Sequence, residues 1–237
     1  RFLEGLKVLD LGHHVAGPYA TRLMAVQGAD VIKVERIDGG DPARRQGPFP
    51  DGAPHLEKSA LFLYLNTAKK GITLNLKTSA GRDVLGKLVE WADVLVENFA
   101  PRVLPSLGLG YEELSKLNPG MVMTSISNFG QTGPYRDYKA REMTLYALGG
   151  LQYITGDPER EPLQMGTRLA QYGAGQNAFV GSMSALWHRD GNGEGQQVDV
   201  AVSEFLATIL ENALSMYSYT GSSFQRTGNR GYGRAAW

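Results

Sequence analysis

The sequence predicts an α/β protein: a Rossmann-like parallel sheet with flanking helices, followed by a helix-rich segment. Two observations predict this class. Short apolar runs of strand length alternate with amphipathic stretches through the first half, as a parallel sheet covered on both faces requires. From "REMTLYALGG" onward the spacing of apolar residues becomes mostly helical.

Taken in order, "LKVLDL" is a buried-type strand, "GPYATRLMAVQG" a helix with Pro18 in its first turn, and "ADVIKVE" the next strand. Strand, helix and strand in so few residues make a right-handed βαβ unit. After the turn-rich loop "RIDGGDPARRQGPFPDGAPH", "GITLNLK" alternates as a strand and "SAGRDVLGKLVEWA" is an amphipathic helix capped by Ser79. "DVLVENF" is a strand, "GYEELSKLN" a helix and "MVMTSISNFG" a strand, placing the Rossmann-like unit at about residues 5–130. The helix from Tyr172 presents Phe179, Val180, Met183, Leu186 and Trp187 on one apolar face. "QQVDVAV" is a strand, and "SEFLATILENALSMYSYTG" a long helix ending near Gly221. Interior glycines cost roughly 1 kcal/mol each against alanine. Gly173, Gly175 and Gly181 are therefore expected where a backbone or a ligand approaches closely, or where one marks a cap.

Composition removes several classes of function. Lysine plus arginine (24) equals aspartate plus glutamate (24), so bulk charge points to neither nucleic acid nor an acidic tail. There is no cysteine, which excludes disulfides, thiolate zinc sites and a cysteine nucleophile. The four histidines fit no metal-ligand spacing. No apolar run is long enough to span a bilayer, so a cytoplasmic location without membrane contact is expected. With no methionine before Arg1 and no evident helix end at Trp237, the sequence is expected to be part of a longer chain.

Ligands of parallel sheets bind beyond the carboxyl ends of the strands. There "GHHVAGP" runs into a helix N-terminus, a natural anion site, and Glu35 and Arg36 end the second strand where a nucleotide ribose commonly lies. A dinucleotide dehydrogenase would need G-x-G-x-x-G, and only Gly12 and Gly17 occur. A nucleotide-like ligand and a loop that merely caps a helix both fit. Arg44 and Arg45 in "DPARRQGP" read as phosphate ligands or as a solvated loop. Asn98 and Phe99 read as ligand-edge residues or as a turn asparagine and a core aromatic. In "YKAREM", Lys139 and Arg141 surround Glu142, which is a capping charge or a carboxylate poised for acid–base or nucleophilic work. His188 reads as a C-terminal helix charge, Asp199 as a solvent-face residue, and Ser203 lacks a G-x-S-x-G elbow. Between Glu161 and Asp190 there is no acidic residue, and Gln171 stands at the mouth of the glycine-rich helix.

Five segments together resemble the class III coenzyme A transferases, the group of formyl-CoA transferase and carnitine CoA-transferase. They are "VLDLGHHVAGPYATRLMAVQGADVIKVER", "LNTAKKGITLNLKT", "ADVLVENFAPRVLPSLGLGYEEL", "SISNFGQTGPY" and "GQQVDVAV". The α-methylacyl-CoA racemases share the fold and many of these motifs. The resemblance implies that residues 1–237 are the large CoA-binding domain of an interlocked dimer, homomeric or with a related chain, and that a small domain lies beyond residue 237. It implies CoA or acyl-CoA as a substrate rather than a resident cofactor, with a small carboxylic acid as the other partner. CoA would be held by Val15, Ala16, Arg36, Leu74, Asn75, Lys77, Asn98, Phe99, Ala100, Lys139 and Arg141. In such enzymes an aspartate attacks the thioester to form a mixed anhydride, and CoA thiolate leaves and then returns. Their pattern G-x-x-x-x-D-x-x-x-G, aligned on Gly166 and Gly175, puts that aspartate at Gln171, whose amide forms no anhydride. The racemases keep an acid/base aspartate there too, and their histidine aligns at or beside Arg141. Glu142 matches a glutamate beside the active site of formyl-CoA transferase-like members and is the remaining candidate carboxylate. The alternatives are a catalytically silent CoA-binding domain or subunit of a two-domain transferase or lyase, or an acyl-CoA racemase- or isomerase-like relative.

Overall fold

The structure, a computed structural model, describes residues 1–210 and 213–228. Its first βαβ unit is β1 (Lys7–Asp10), α1 (Ala16–Val26) and β2 (Asp30–Glu35). Then come α2 (Ala60–Leu65), β3 (Lys70–Thr73), α3 (Ser79–Trp91) and β4 (Val94–Glu97). These are followed by α4 (Val103–Ser106), α5 (Tyr111–Leu117) and β5 (Val122–Ser127). The later part holds α6 (Glu142–Leu148), α7 (Leu151–Ile154), α8 (Leu169–Asn192), β6 (Gln197–Ala201), α9 (Val202–Thr208) and α10 (Ala213–Thr220).

All strand pairings are parallel, and the order is β3-β2-β1-β4-β5-β6. The chain reverses its direction of travel across the sheet between β1 and β4, so a crevice opens at their carboxyl ends. β4 and β5 are buried along their whole length, which explains their unbroken apolar character, whereas the edge strand β3 is largely exposed. One face of the sheet packs on α1 and α8 around Val8, Val94 and Ala174; the other packs on α3 and α5 around Leu9, Leu85 and Leu114.

Three expectations need correction. The sheet does not end near residue 130, because β6 returns after α8 and pairs with β5 from Met123–Gln197 to Ser127–Ala201. α3 is capped by Thr78, whose hydroxyl accepts the Gly81 N–H at 3.1 Å; Ser79 is already helical. The helix expected from Ser203 to near Gly221 is two described helices, with residues 211 and 212 outside the described residues. Among the alternatives for the glycines of α8, close packing is the one seen. A Cβ at Gly173 would meet the Phe205 ring, one at Gly175 the Ala16 carbonyl oxygen at 2.7 Å, and one at Gly181 Val198 at 2.8 Å. α8 therefore lies directly against α1, β6 and α9, and this brings Gln171 to the sheet's carboxyl edge. No helix among the described residues is long and apolar enough to cross a membrane.

Candidate functional site

The β1–α1 loop is held from below by a buried ionic network. Lys33 and Lys69 project from β2 and the turn before β3 among Asp10 and Asp41, and all four side chains are almost fully buried. Lys69 Nζ lies 2.9 Å from Asp10 Oδ2, Lys33 Nζ 3.0 Å from Asp41 Oδ2, and Lys33 also donates to the Gly12 carbonyl at 2.6 Å. Burial alone would raise Asp10. The charges of Lys33 and Lys69 and hydrogen bonds from Lys69 and Thr21 outweigh it and bring Asp10 down to about 2. Burial pulls Lys69 down to about 8 despite Asp10.

This network also decides where an anion can bind. The N–H groups of Gly12, His13 and His14 donate to Asp10, Asn98 and Asp41, so most of the loop is saturated internally. Asn98 completes a two-bond clamp, accepting the His13 N–H at 2.7 Å and donating to the His13 carbonyl at 2.8 Å. The loop faces the cavities with the His13 side chain and with Ala16 at its end. Glu35 is not a free ribose acceptor either. Arg44 grips both its oxygens at 2.8 Å and stacks on Phe62 at 3.7 Å, so this arginine is a structural clasp rather than a phosphate ligand.

Two cavities open over the crevice. One, of about 280 Å³, is bounded by Arg36, Leu74, Asn75, Lys77 and Phe99, with His13 at its base. Burial and the Lys33 charge lower His13, which favours its neutral form there. The second, of about 420 Å³, is bounded by Ala16, Asn98, Phe99, Ala100, Lys139 and Gln171. Phe99 lines both, between a cavity that carries Arg36 and Lys77 beside Glu35 and Asp38 and a cavity that carries Gln171. Its position is set from behind by Glu97, whose Oε2 accepts the Phe99 N–H at 2.8 Å.

Ten of the thirteen residues expected from the sequence line these two cavities. Val15, Arg141 and Glu142 line neither. Val15 is buried as the residue preceding α1, and Arg141 is exposed at the start of α6. Glu142 stands behind the site: its Oε1 accepts the Ala170 N–H at 2.9 Å and so ties α6 to the first turn of α8. Burial pushes its carboxyl up, while the Ala170 N–H, the Arg168 charge and the Gln171 amides pull the other way. Sequence reasoning missed Arg102, Arg136, Asp137 and Tyr138, which also line the larger cavity. "NFAPR" offers the only hint, an arginine three residues past Phe99.

A sequence profile of CoA-transferase family III matches residues 3–236. Succinyl-CoA–D-citramalate CoA-transferase of Chloroflexus aurantiacus is 40% identical over 97% of this chain and 56% of its own length. The alpha subunit of succinyl-CoA–L-malate CoA-transferase from the same species is 36% identical over 95% of this chain and 52% of its own. Among solved structures, a CAIB/BAIF family protein from Brucella suis superposes with a TM-score of 0.89 at 37% identity, covering 96% of this chain and 60% of that one. The chain thus spans little more than half the length of the curated relatives it matches. With the family's profile running almost end to end and a family structure closely superposed, the chain belongs to CoA-transferase family III.

Proposed function

We propose that this chain is the thioester-binding large domain of a CoA-transferase that moves CoA between an acyl-CoA and a small carboxylic acid. The observation that carries the reading is the pair of cavities divided by Phe99 at the β1/β4 crevice. A nucleotide fits the side with Arg36 and Lys77, where guanidinium and ammonium groups meet phosphate oxygens. The pantetheine arm passes Phe99, Asn98 and Ala100 and delivers the thioester beside Gln171. The acid partners named in the relatives, citramalate and malate, are small acids of this kind.

Gln171 favours a second reading of the chemistry. At the position matching the family aspartate an amide offers no carboxylate, and loss of a nucleophile costs on the order of a millionfold in rate. The nearby carboxylate, Glu142, is turned to the Ala170 N–H. Under this reading the chain binds CoA and leaves the covalent step to a related chain, as the word "subunit" in one relative's name allows. The exposed apolar face of α8, with Trp187 84% exposed and Val180 59% exposed, supports pairing with a second chain of either kind. The reaction belongs in the cytoplasm, where acyl-CoA substrates are made.

One experiment separates the two readings. The protein is incubated with an acyl-CoA and hydroxylamine, and peptides are searched by mass spectrometry for a hydroxamate at any carboxylate. CoA binding is measured in parallel by calorimetry. An adduct establishes transfer by this chain. Binding without an adduct establishes the silent subunit, and absence of binding refutes both.

A further inference from the structure

Two arginine–carboxylate forks lie near the crevice, and they differ in kind. Arg44 and Glu35 are buried, with side chains 16% and 7% exposed, and a phenylalanine ring covers the guanidinium. Arg102 and Asp137 form an equally regular fork, Nε to Oδ1 at 2.7 Å and Nη2 to Oδ2 at 2.5 Å. Yet those side chains are 72% and 43% exposed, and both line the larger cavity together with Gln171. Arg136 stands 3.6 Å from Oδ1 of the same Asp137. Lys139 lines the same cavity and has no carboxylate partner among the described residues. Two guanidinium groups thus stand at one carboxylate, in a cavity that Lys139 and the Gln171 amide also line.

We propose that Asp137 stands in for an oxyanion of the substrate, and that binding transfers the Arg102 guanidinium from Asp137 to that oxyanion. The inference rests on the thioester-binding reading above. A guanidinium fork fits a carboxylate and a phosphate by the same two parallel hydrogen bonds, so the exchange keeps the geometry and changes only the partner. The exchange is also cheap, because a solvent-exposed pair contributes little to stability, unlike the buried Arg44–Glu35 clasp. Arg136 and Lys139 supply the charge that draws a second anion in. The shared chemistry is an oxyanion, which is either a phosphate of the CoA arm or a free carboxylate of the acid.

The test compares Asp137→Asn, Arg102→Gln and the double variant with the parent protein, each checked for an unchanged thermal melt. Calorimetry reads CoA, which carries phosphates and no carboxylate. Ligand-observed NMR reads succinate, which carries carboxylates and no phosphate, and pantetheine serves as a ligand with neither. The expected result is that Asp137→Asn tightens one of the two anions by about threefold, since a competing charge is gone. Arg102→Gln weakens the same anion by about tenfold, and the double variant behaves as Arg102→Gln. Tightening of CoA alone assigns the phosphate, and tightening of succinate alone assigns the carboxylate. If Asp137→Asn and Arg102→Gln weaken binding alike, the fork is a structural clasp and the inference falls. It falls equally if Asp137→Asn changes neither anion. Failure of the parent protein to bind CoA overturns the thioester reading instead, and the succinate arm then decides the exchange by itself.

Discussion

Glu97 ends a strand that is buried along its whole length, and its replacement by glutamine tests how the cavity partition is built. The side chain is 4% exposed. Burial pushes its carboxyl from 4.5 up to about 7; the Ser125 hydroxyl and Phe99 N–H pull against this, and the Asp199 charge adds to it. The folded state therefore holds a proton between pH 4.5 and about 7 that the unfolded chain has released. Its stabilising contribution is complete below pH 4.5 and is lost as pH rises through about 7. Above that the ionised carboxylate costs about 3 kcal/mol, since each tenfold change in an ionisation equilibrium is worth roughly 1.4 kcal/mol. Glu97→Gln keeps an oxygen for the Phe99 N–H and cannot ionise. Urea unfolding should then show the variant equal to the parent at pH 4 and more stable by about 3 kcal/mol at pH 8.5. The same difference at both pH values would refute the reasoning, because a packing effect does not titrate.

Three further outcomes follow from the same geometry. Asp10→Asn leaves Lys69 buried without its carboxylate and should destabilise the protein by about 3–5 kcal/mol at neutral pH, read by denaturant unfolding. Because Asp10 sits at about 2 when folded, below its ordinary 3.8, that gap should close as the pH falls from 3.8 through 2. Gly175→Ala puts a methyl group 2.7 Å from the Ala16 carbonyl oxygen, so thermal unfolding should register a loss of about 1–3 kcal/mol. Gln171→Asp, given an acyl-CoA, should acquire a hydroxamate at residue 171 in the hydroxylamine trap while CoA affinity stays within about threefold, because the change adds one charge at the cavity wall.

The strands are legible in the sequence because buried parallel strands read as apolar runs, and β4 and β5 lie where "DVLVENF" and "MVMTSISNFG" put them. Short-range chemistry is less legible. Thr78 and Ser79 are both competent caps, and only the chain's approach to α3 selects the first. Gln171 stands out by its setting in sequence, and it lines the larger of the two cavities. The glycines around it point to close approach, but which surface approaches is a tertiary fact: Phe205, Ala16 and Val198 all lie distant in sequence. Lys33 sits in mid-strand with no local sign that Asp41 receives it. Arg102 and Asp137 are 35 residues apart and meet only because β5 and its following loop fold back over the end of β4. Pairings of this kind depend on strand order, which local patterns do not encode.

The central claim is that one CoA molecule spans both cavities and passes Phe99. Calorimetric titration of CoA, and separately of pantetheine, into the parent protein and into Arg36→Gln tests it most directly. The expected result is that CoA binds, that Arg36→Gln weakens CoA by about tenfold, and that pantetheine affinity is unchanged because its contacts lie on the Gln171 side. CoA affinity untouched by Arg36→Gln, or no CoA binding at all, would contradict it.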